Sequence, residues 1–214
     1  MKQTKYIFRR HDFARDNDNF KYEIVAHEKG VWKAPHVLPI SAMVWNAAIE
    51  VEGFLIPWCE RGSIEYLLTH HPSEITRPIR LKWVAQLAHA LIQLHTSQLS
   101  HGNLHPRTIF VDDQWDIHLT GFMLGLGYRS ALGGDPTNER LLAWDVLCLG
   151  KVMERMIGGG VDNIDQQGVE AGDTNDTCSQ LVRRCSDVLI NGNAWDILEA
   201  TASLHHCGCI HSAN

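Results

Sequence analysis

Three stretches of the chain concentrate side chains that could do chemistry. In His101-Gly102-Asn103-Leu104-His105-Pro106-Arg107-Thr108, imidazoles, an amide, a guanidinium and a hydroxyl follow one another and run into the apolar Ile109-Phe110-Val111. In the tail, His205, His206, Cys207, Cys209 and His211 offer imidazoles and thiols, which suit zinc. Ligands adjacent on one short segment rarely close a tetrahedral site without partners from elsewhere, and no C-x-x-C occurs. The tail therefore reads by default as an unstructured segment with incidental metal affinity, and as a zinc site only in the alternative. Asp112-Asp113 pairs two carboxylates, but Asp favours turns through local bonds from its side chain to the backbone, and a turn explains the pair better than a metal does. No G-x-S-x-G, H-E-x-x-H, Walker loop or internal repeat is present.

The elements that must position the first stretch can be read from apolar spacing. Leu81, Val84, Ala85, Ala88, Leu91, Ile92 and His95 recur at threes and fours and define one stripe of a helix from about Arg80 to Thr96. His95 on that stripe reads as a core or capping residue. The segments 108–111 and 116–120 predict a β-hairpin about Asp112 to Trp115. Val146, Leu149, Val152, Met153 and Met156 predict a buried helix over 144–157, with Asp145 at its start as an N-cap or dipole partner. Upstream, Tyr6-Ile7-Phe8 is β-prone, and 35–45 and 48–58 read as strands edged by proline. Ser63 caps a short helix over 64–68. Gly158-Gly159-Gly160 ends the long helix, 161–177 is acidic, glycine-rich and expected to be a flexible loop, and 178–189 and 194–204 read as closing helices. Cys178 and Cys185 read as core residues.

The loop at His101 resembles the catalytic loop of protein kinases, H-R-D-L-x-P-x-N, with most chemical positions altered. His101, Leu104, Pro106 and the apolar exit match. The resemblance puts Asn103 where the family has its base, His105 at the companion lysine and Thr108 at the magnesium-binding asparagine. Two further partial matches follow in order: Leu119-Thr120-Gly121-Phe122-Met123 stands where the family has D-F-G, and Asp145 to Gly150 where it has D-x-W-S-x-G, whose aspartate the resemblance implies to hydrogen-bond the catalytic-loop backbone. By the same resemblance Arg9 replaces the lysine of V-A-I-K, and 20–33 could hold the helix that carries its acidic partner, with Glu28 the better-spaced candidate and Glu23 the other. Trp58, Cys59 and Glu60 fall at the adenine-binding hinge. Glu139 is the nearest residue to the glutamate of A-P-E, and Asn193-Ala194 stands where R-P is usual. An isolated arginine on a strand edge remains the alternative for Arg9.

The resemblance implies an α+β, protein-kinase-like fold. An incomplete, β-rich small lobe, from about the family's third strand, occupies 1–58, a hinge 59–62, a mainly helical large lobe 63–204 and a tail 205–214. The five residues before Tyr6 are too few for the glycine-rich hairpin, which needs roughly twenty, so no ATP lid is expected. An amide at Asn103 is no base, and Gly121 and Thr108 bring no charge to magnesium, a hard cation normally held by carboxylates. His101, Leu104, Pro106, Phe122, Asp145 and Gly150 keep the positions that serve packing.

The expected function is therefore a catalytically inactive, protein-binding or regulatory domain with no bound cofactor. A divergent serine/threonine-type kinase that keeps ATP binding or weak phosphotransfer, and a truncated kinase fragment, are the alternatives. A net charge of −6, with basic pairs only at Arg9-Arg10 and Arg183-Arg184, excludes a polyanion-binding stripe and with it nucleic acid as the main partner. No apolar run reaches a bilayer span. The first residues have no apolar signal core, and six cysteines at irregular spacing read as reduced thiols, so the protein is expected in the cytoplasm, with a protein partner.

Overall fold

Where apolar residues recur and where turns are forced decides the order of elements. The computed structural model describes residues 4–11, 17–123, 138–158, 180–185, 187 and 194–204. Strands β1 (Tyr6–Arg10), β2 (Ala42–Trp45) and β3 (Val51–Pro57) form one antiparallel sheet with β3 in the middle. Helix α1 (Asn17–Glu28) follows β1. Its Phe20 stacks on Phe54 of β3 at 5.3 Å, and Phe20 and Ile24 pack with Leu38, Phe54 and Ile56 in a small core of their own.

The larger part begins at β4 (Gly62–Ser63), which pairs with β5 (Ile109–Val111), itself paired with β6 (Ile117–Leu119). Ser63 caps α2 (Ile64–His70), its hydroxyl accepting from the Tyr66 N–H at 3.2 Å. Helix α3 (Arg77–Thr96) packs against both α4 (Asn138–Gly158) and α5 (Ala194–Ala202). It buries more than the expected stripe: Trp83, Leu87, Ala90 and Leu94 form a second buried row beside Val84, Ala88 and Leu91. The buried arc is wide because α3 lies between several elements, while Arg77, His89 and Gln93 keep a polar face in solvent. Gly150 of α4 admits the helical turn 180–185, since a Cβ there would lie 2.5 Å from the Cβ of Cys185. The α+β class expected from the sequence is what these elements make, and among the described residues no helix is long and apolar enough to cross a membrane.

Three local expectations are corrected. Residues 35–40 form no strand of the small sheet; the Leu38 N–H donates to Leu119 O at 2.9 Å and Val37 bridges Leu119 in parallel, so this segment ties the two parts together. Strand β3 starts at Val51, because Asn46 Oδ1 accepts from the N–H groups of Ala48 (2.9 Å) and Glu50 (3.0 Å) and turns the chain through Ile49 at φ 62°. Asp145 is no N-cap, since α4 begins at Asn138. Most of the segment up to Glu139, the loop after Gly158, Cys178, Asn193 and the candidate zinc ligands His205, His206, Cys207, Cys209 and His211 lie outside the described residues.

Candidate functional site

The loop 101–108 crosses from α3 to β5, and two buried carboxylates hold the backbone around it. Asp145, fully buried on α4, accepts from the N–H of His101 through Oδ2 and of Gly102 through Oδ1, both at 2.8 Å, and pairs with His95 Nε2 at 2.7 Å. This is why His95 belongs on the inward stripe of α3. Glu23 of α1, 2% exposed, accepts from the Gly121 N–H at 2.7 Å and the Thr120 hydroxyl at 3.3 Å and pairs with Arg9 Nη2 at 3.2 Å. Burial pushes the Glu23 carboxyl above its ordinary range, and the Arg9 guanidinium opposes that shift.

Arg9 therefore pairs with Glu23 and not with Glu28. Helix α1 starts at Asn17, and its inward row is Asn19, Glu23, Ala26 and His27, whereas Glu28 at the helix end is exposed. The spacing of that buried row at i, i+4 and i+7 is the signal that favours Glu23.

The positions where the resemblance places catalytic groups are occupied by loop contacts. Asn103 Nδ2 donates to Gly121 O at 3.1 Å. The Thr108 hydroxyl donates to Asn103 O at 2.9 Å and accepts from the His105 N–H at 3.2 Å. His105 is exposed, and its Nδ1 accepts from the Arg107 N–H at 3.3 Å. Gly121 has φ 76°, in the left-handed region, and a Cβ there would meet Thr108 Cγ2 at 3.2 Å and Arg9 Nη1 at 3.5 Å. A guanidinium thus stands beside the point from which the family's carboxylate would project. The donor set around Gly121 does not fit magnesium: the Thr108 hydroxyl and the Asn103 amide are already engaged, Arg9 brings a cation, and the Glu23 carboxylate is taken up by the Gly121 N–H, the Thr120 hydroxyl and Arg9.

Phe122 is fully buried between two imidazoles, 4.7 Å from the His101 ring and 6.0 Å from that of His27, centroid to centroid. Burial drives both imidazoles down, each to about 4, so both are neutral near pH 7. Leu104 and Pro106 are buried, and Pro106 O accepts from the Glu65 N–H at 3.1 Å. Tyr22 of α1 donates its hydroxyl to Ser100 O at 2.9 Å, a link between α1 and the loop that sequence spacing could not reveal.

At the hinge, the Trp58 N–H donates to Lys5 O at 3.2 Å and Cys59 O accepts from the Gly62 N–H at 3.2 Å, while Glu60 is exposed. Burial pushes the Cys59, Cys148 and Cys185 thiols up to about 12, which removes them as nucleophiles. Asp112 forms the turn expected of it: its Oδ1 accepts from the N–H groups of Gln114 and Asp116, both at 2.9 Å, and its Oδ2 pairs with His118 at 2.8 Å. Among the described residues no group of three His, Cys, Asp or Glu side chains could hold a metal ion.

Comparison with known proteins agrees with this arrangement. The family model of protein tyrosine and serine/threonine kinases matches residues 9–131. The receptor-type guanylate cyclase gcy-8 of Caenorhabditis elegans is 29% identical over 90 residues, 41% of this chain and 8% of its own length. Guanylate cyclase 2G of Rattus norvegicus is 34% identical over 68 residues, 31% of this chain and 6% of its own length. The chain thus spans less than a tenth of these curated relatives.

Proposed function

This chain belongs to the protein tyrosine and serine/threonine kinase family, and we propose that within it the domain is a non-catalytic regulatory module that binds another protein and transfers no phosphate. The observation that supports this reading most is the geometry at Gly121. Phosphoryl transfer depends on positioned charge, above all on metal ions held against the phosphates. Here a glycine with a left-handed backbone, a threonine hydroxyl engaged with the loop and the Arg9 guanidinium take the place of that metal shell. Restoring a carboxylate at Gly121 would meet both backbone strain and an occupied space. Asn103 supplies an amide, donating to Gly121 O, where a base would have to accept a proton.

The packing positions point the same way. Asp145 holds the loop backbone, Phe122 is packed between its histidines and α1 is drawn in by the pair of Arg9 with Glu23. Those contacts are all made between residues of the chain itself, so the scaffold can present a fixed surface. Both curated relatives are named for a cyclase reaction and not for phosphotransfer, which supports use of such a domain for something other than kinase chemistry.

The test is thermal unfolding of the chain alone, with ATP, and with ATP plus magnesium. A ligand that binds only the native state at a hundredfold excess over Kd adds about 2.7 kcal/mol. The expected result is one cooperative transition that magnesium-ATP does not raise. A rise that requires magnesium would overturn the reading in favour of a divergent kinase.

A further inference from the structure

The inner rows of α1 are spent on the two cores, and its outer row runs on past the helix end. Lys21, Val25 and Lys29 follow one another at i, i+4 and i+8, all of them exposed. The Lys29 N–H donates to Val25 O at 2.9 Å, so the helical turn carries through to Lys29. Gly30, at φ 93°, then turns the chain into the single 3-10 turn Val31–Lys33. Val31 is buried in the large core, which leaves its neighbour Trp32 53% exposed, with the Lys33 ammonium over the indole at 5.4 Å. Along about 12 Å of helix and the turn that follows, the surface thus offers an isopropyl group and an indole with three ammonium groups interleaved. None of the three lysines forms an ion pair among the described residues, and Glu28 is the one exposed carboxylate among them.

We propose that this face docks an acidic segment of another protein, with an apolar side chain of that segment seated on Trp32 and Val25 and its carboxylates answering Lys21, Lys29 and Lys33. The proposal rests on the reading of the domain as a protein-binding module and names the chemistry of the partner. Charge selects the occupant. The face is basic on a chain of net charge −6, so it stands out as a local inversion of sign. A second copy meeting it through the same face would oppose like charges. Anionic lipid surfaces are read by clusters of about four to eight basic residues, and here three lysines share the face with a glutamate. An acidic peptide strand matches the spacing: the desolvated indole supplies the anchor, and the ammonium groups steer and set the register. The inner side of the same helix carries Tyr22 and Glu23, so a docked segment bears on the contacts with Ser100 and Gly121.

Selection of a phage-displayed random-peptide library on the full chain tests the proposal, with the affinity of recovered peptides then read by fluorescence anisotropy. The expected result is enrichment of Asp and Glu around an aliphatic or aromatic residue, and binding that salt weakens. Trp32→Ala, and separately the double variant Lys29→Glu with Lys33→Glu, should each weaken it about tenfold or more. Lys151→Glu, exposed on α4, should bind as the unaltered chain does. All these positions are exposed, and unfolding curves establish that the variants fold. Peptides without acidic enrichment, or binding indifferent to the folded Trp32 and lysine variants, would overturn the proposal. So would a dimer in sedimentation velocity that Trp32→Ala dissolves, which assigns the face to a second copy, or binding to phosphatidylserine vesicles that the double variant abolishes, which assigns it to a lipid surface. Stabilisation by magnesium-ATP alongside such peptides would overturn the non-catalytic reading and leave this face standing; no stabilisation and no such peptides would do the reverse.

Discussion

Asp145 and Glu23 are both buried carboxylates that accept backbone N–H groups beside the loop 101–108, yet their surroundings differ in kind. The partners of Asp145 are a buried histidine of α3 and two buried amides, all within the larger part of the molecule. Those of Glu23 come from β1 and from the segment after β6, and its charge is answered by Arg9, whose side chain is 39% exposed. The first is an internal anchor of the loop. The second is a joint between the two parts, open to solvent on one side. The family's reactive positions have been rewritten at the joint, while the anchor keeps its chemistry.

The sharpest way to break this comparison is to remove each carboxylate. Asp145→Ala leaves two buried amides and a buried imidazole without their acceptor and should cost about 3 to 5 kcal/mol in denaturant unfolding. Glu23→Ala, relieved by solvent at Arg9, should cost about 1 to 3 kcal/mol. Equal costs would mean that the joint is as internal as the anchor.

Acid probes both regions at once. His101 and His27 are held neutral, from an ordinary 6.5 down to about 4, so the unfolded chain binds more protons than the native one between those values. Stability is therefore complete above 6.5 and is lost as pH falls through the window, by on the order of 2 to 3 kcal/mol for the pair at one unit below 6.5. Glu23, shifted upward from 4.5, works in the opposite sense nearer that value, so the histidine effect is cleanest in the upper part of the window. A pH titration of unfolding free energy that stays flat from neutrality down to that point would contradict the burial of the two rings.

Gly121→Asp restores the family's carboxylate. Because of the left-handed backbone it should destabilise by about 1 to 2 kcal/mol, and calorimetry should find no magnesium binding while Arg9 is present. Smallest of all, Arg9→Lys should change stability by less than about 1 kcal/mol, because it keeps a cation on the half-exposed side of the pair with buried Glu23. A larger loss would place Arg9 among the buried determinants of the fold.

How far the sequence alone could reach depends on which force wrote each residue. The helical spacing from Leu81 to His95, the Ser63 cap and the Asp112 turn are local or periodic, and the structure repeats them. The apolar residues 37–40 misled, since Val37 and Leu38 are apolar in order to lie against β6 and the small core, and alternation cannot distinguish that from pairing within the small sheet. At the site, the altered residue types were visible, but the way the vacated positions are refilled was not. That the Thr108 hydroxyl turns back to Asn103 depends on how the loop folds on itself, and that Asn103 and Glu23 both reach Gly121 depends on three-dimensional proximity between residues far apart in the chain, whereas the helical spacing that favours Glu23 over Glu28 was there to be read. Asp145 separates two kinds of reading: its local position suggested a helix cap, whereas the resemblance implied the bonds it makes, to the backbone of a loop more than forty residues earlier.

Helix α1 puts Phe20 and Ile24 into the small core, sends Ala26 into the large one and ties Tyr22 to Ser100. Swinging it outward would disturb both cores together. Thermodynamic linkage makes that coupling symmetric: a substitution that loosens α1 is felt at the His101 loop, and one that stiffens the loop holds α1 more firmly in place.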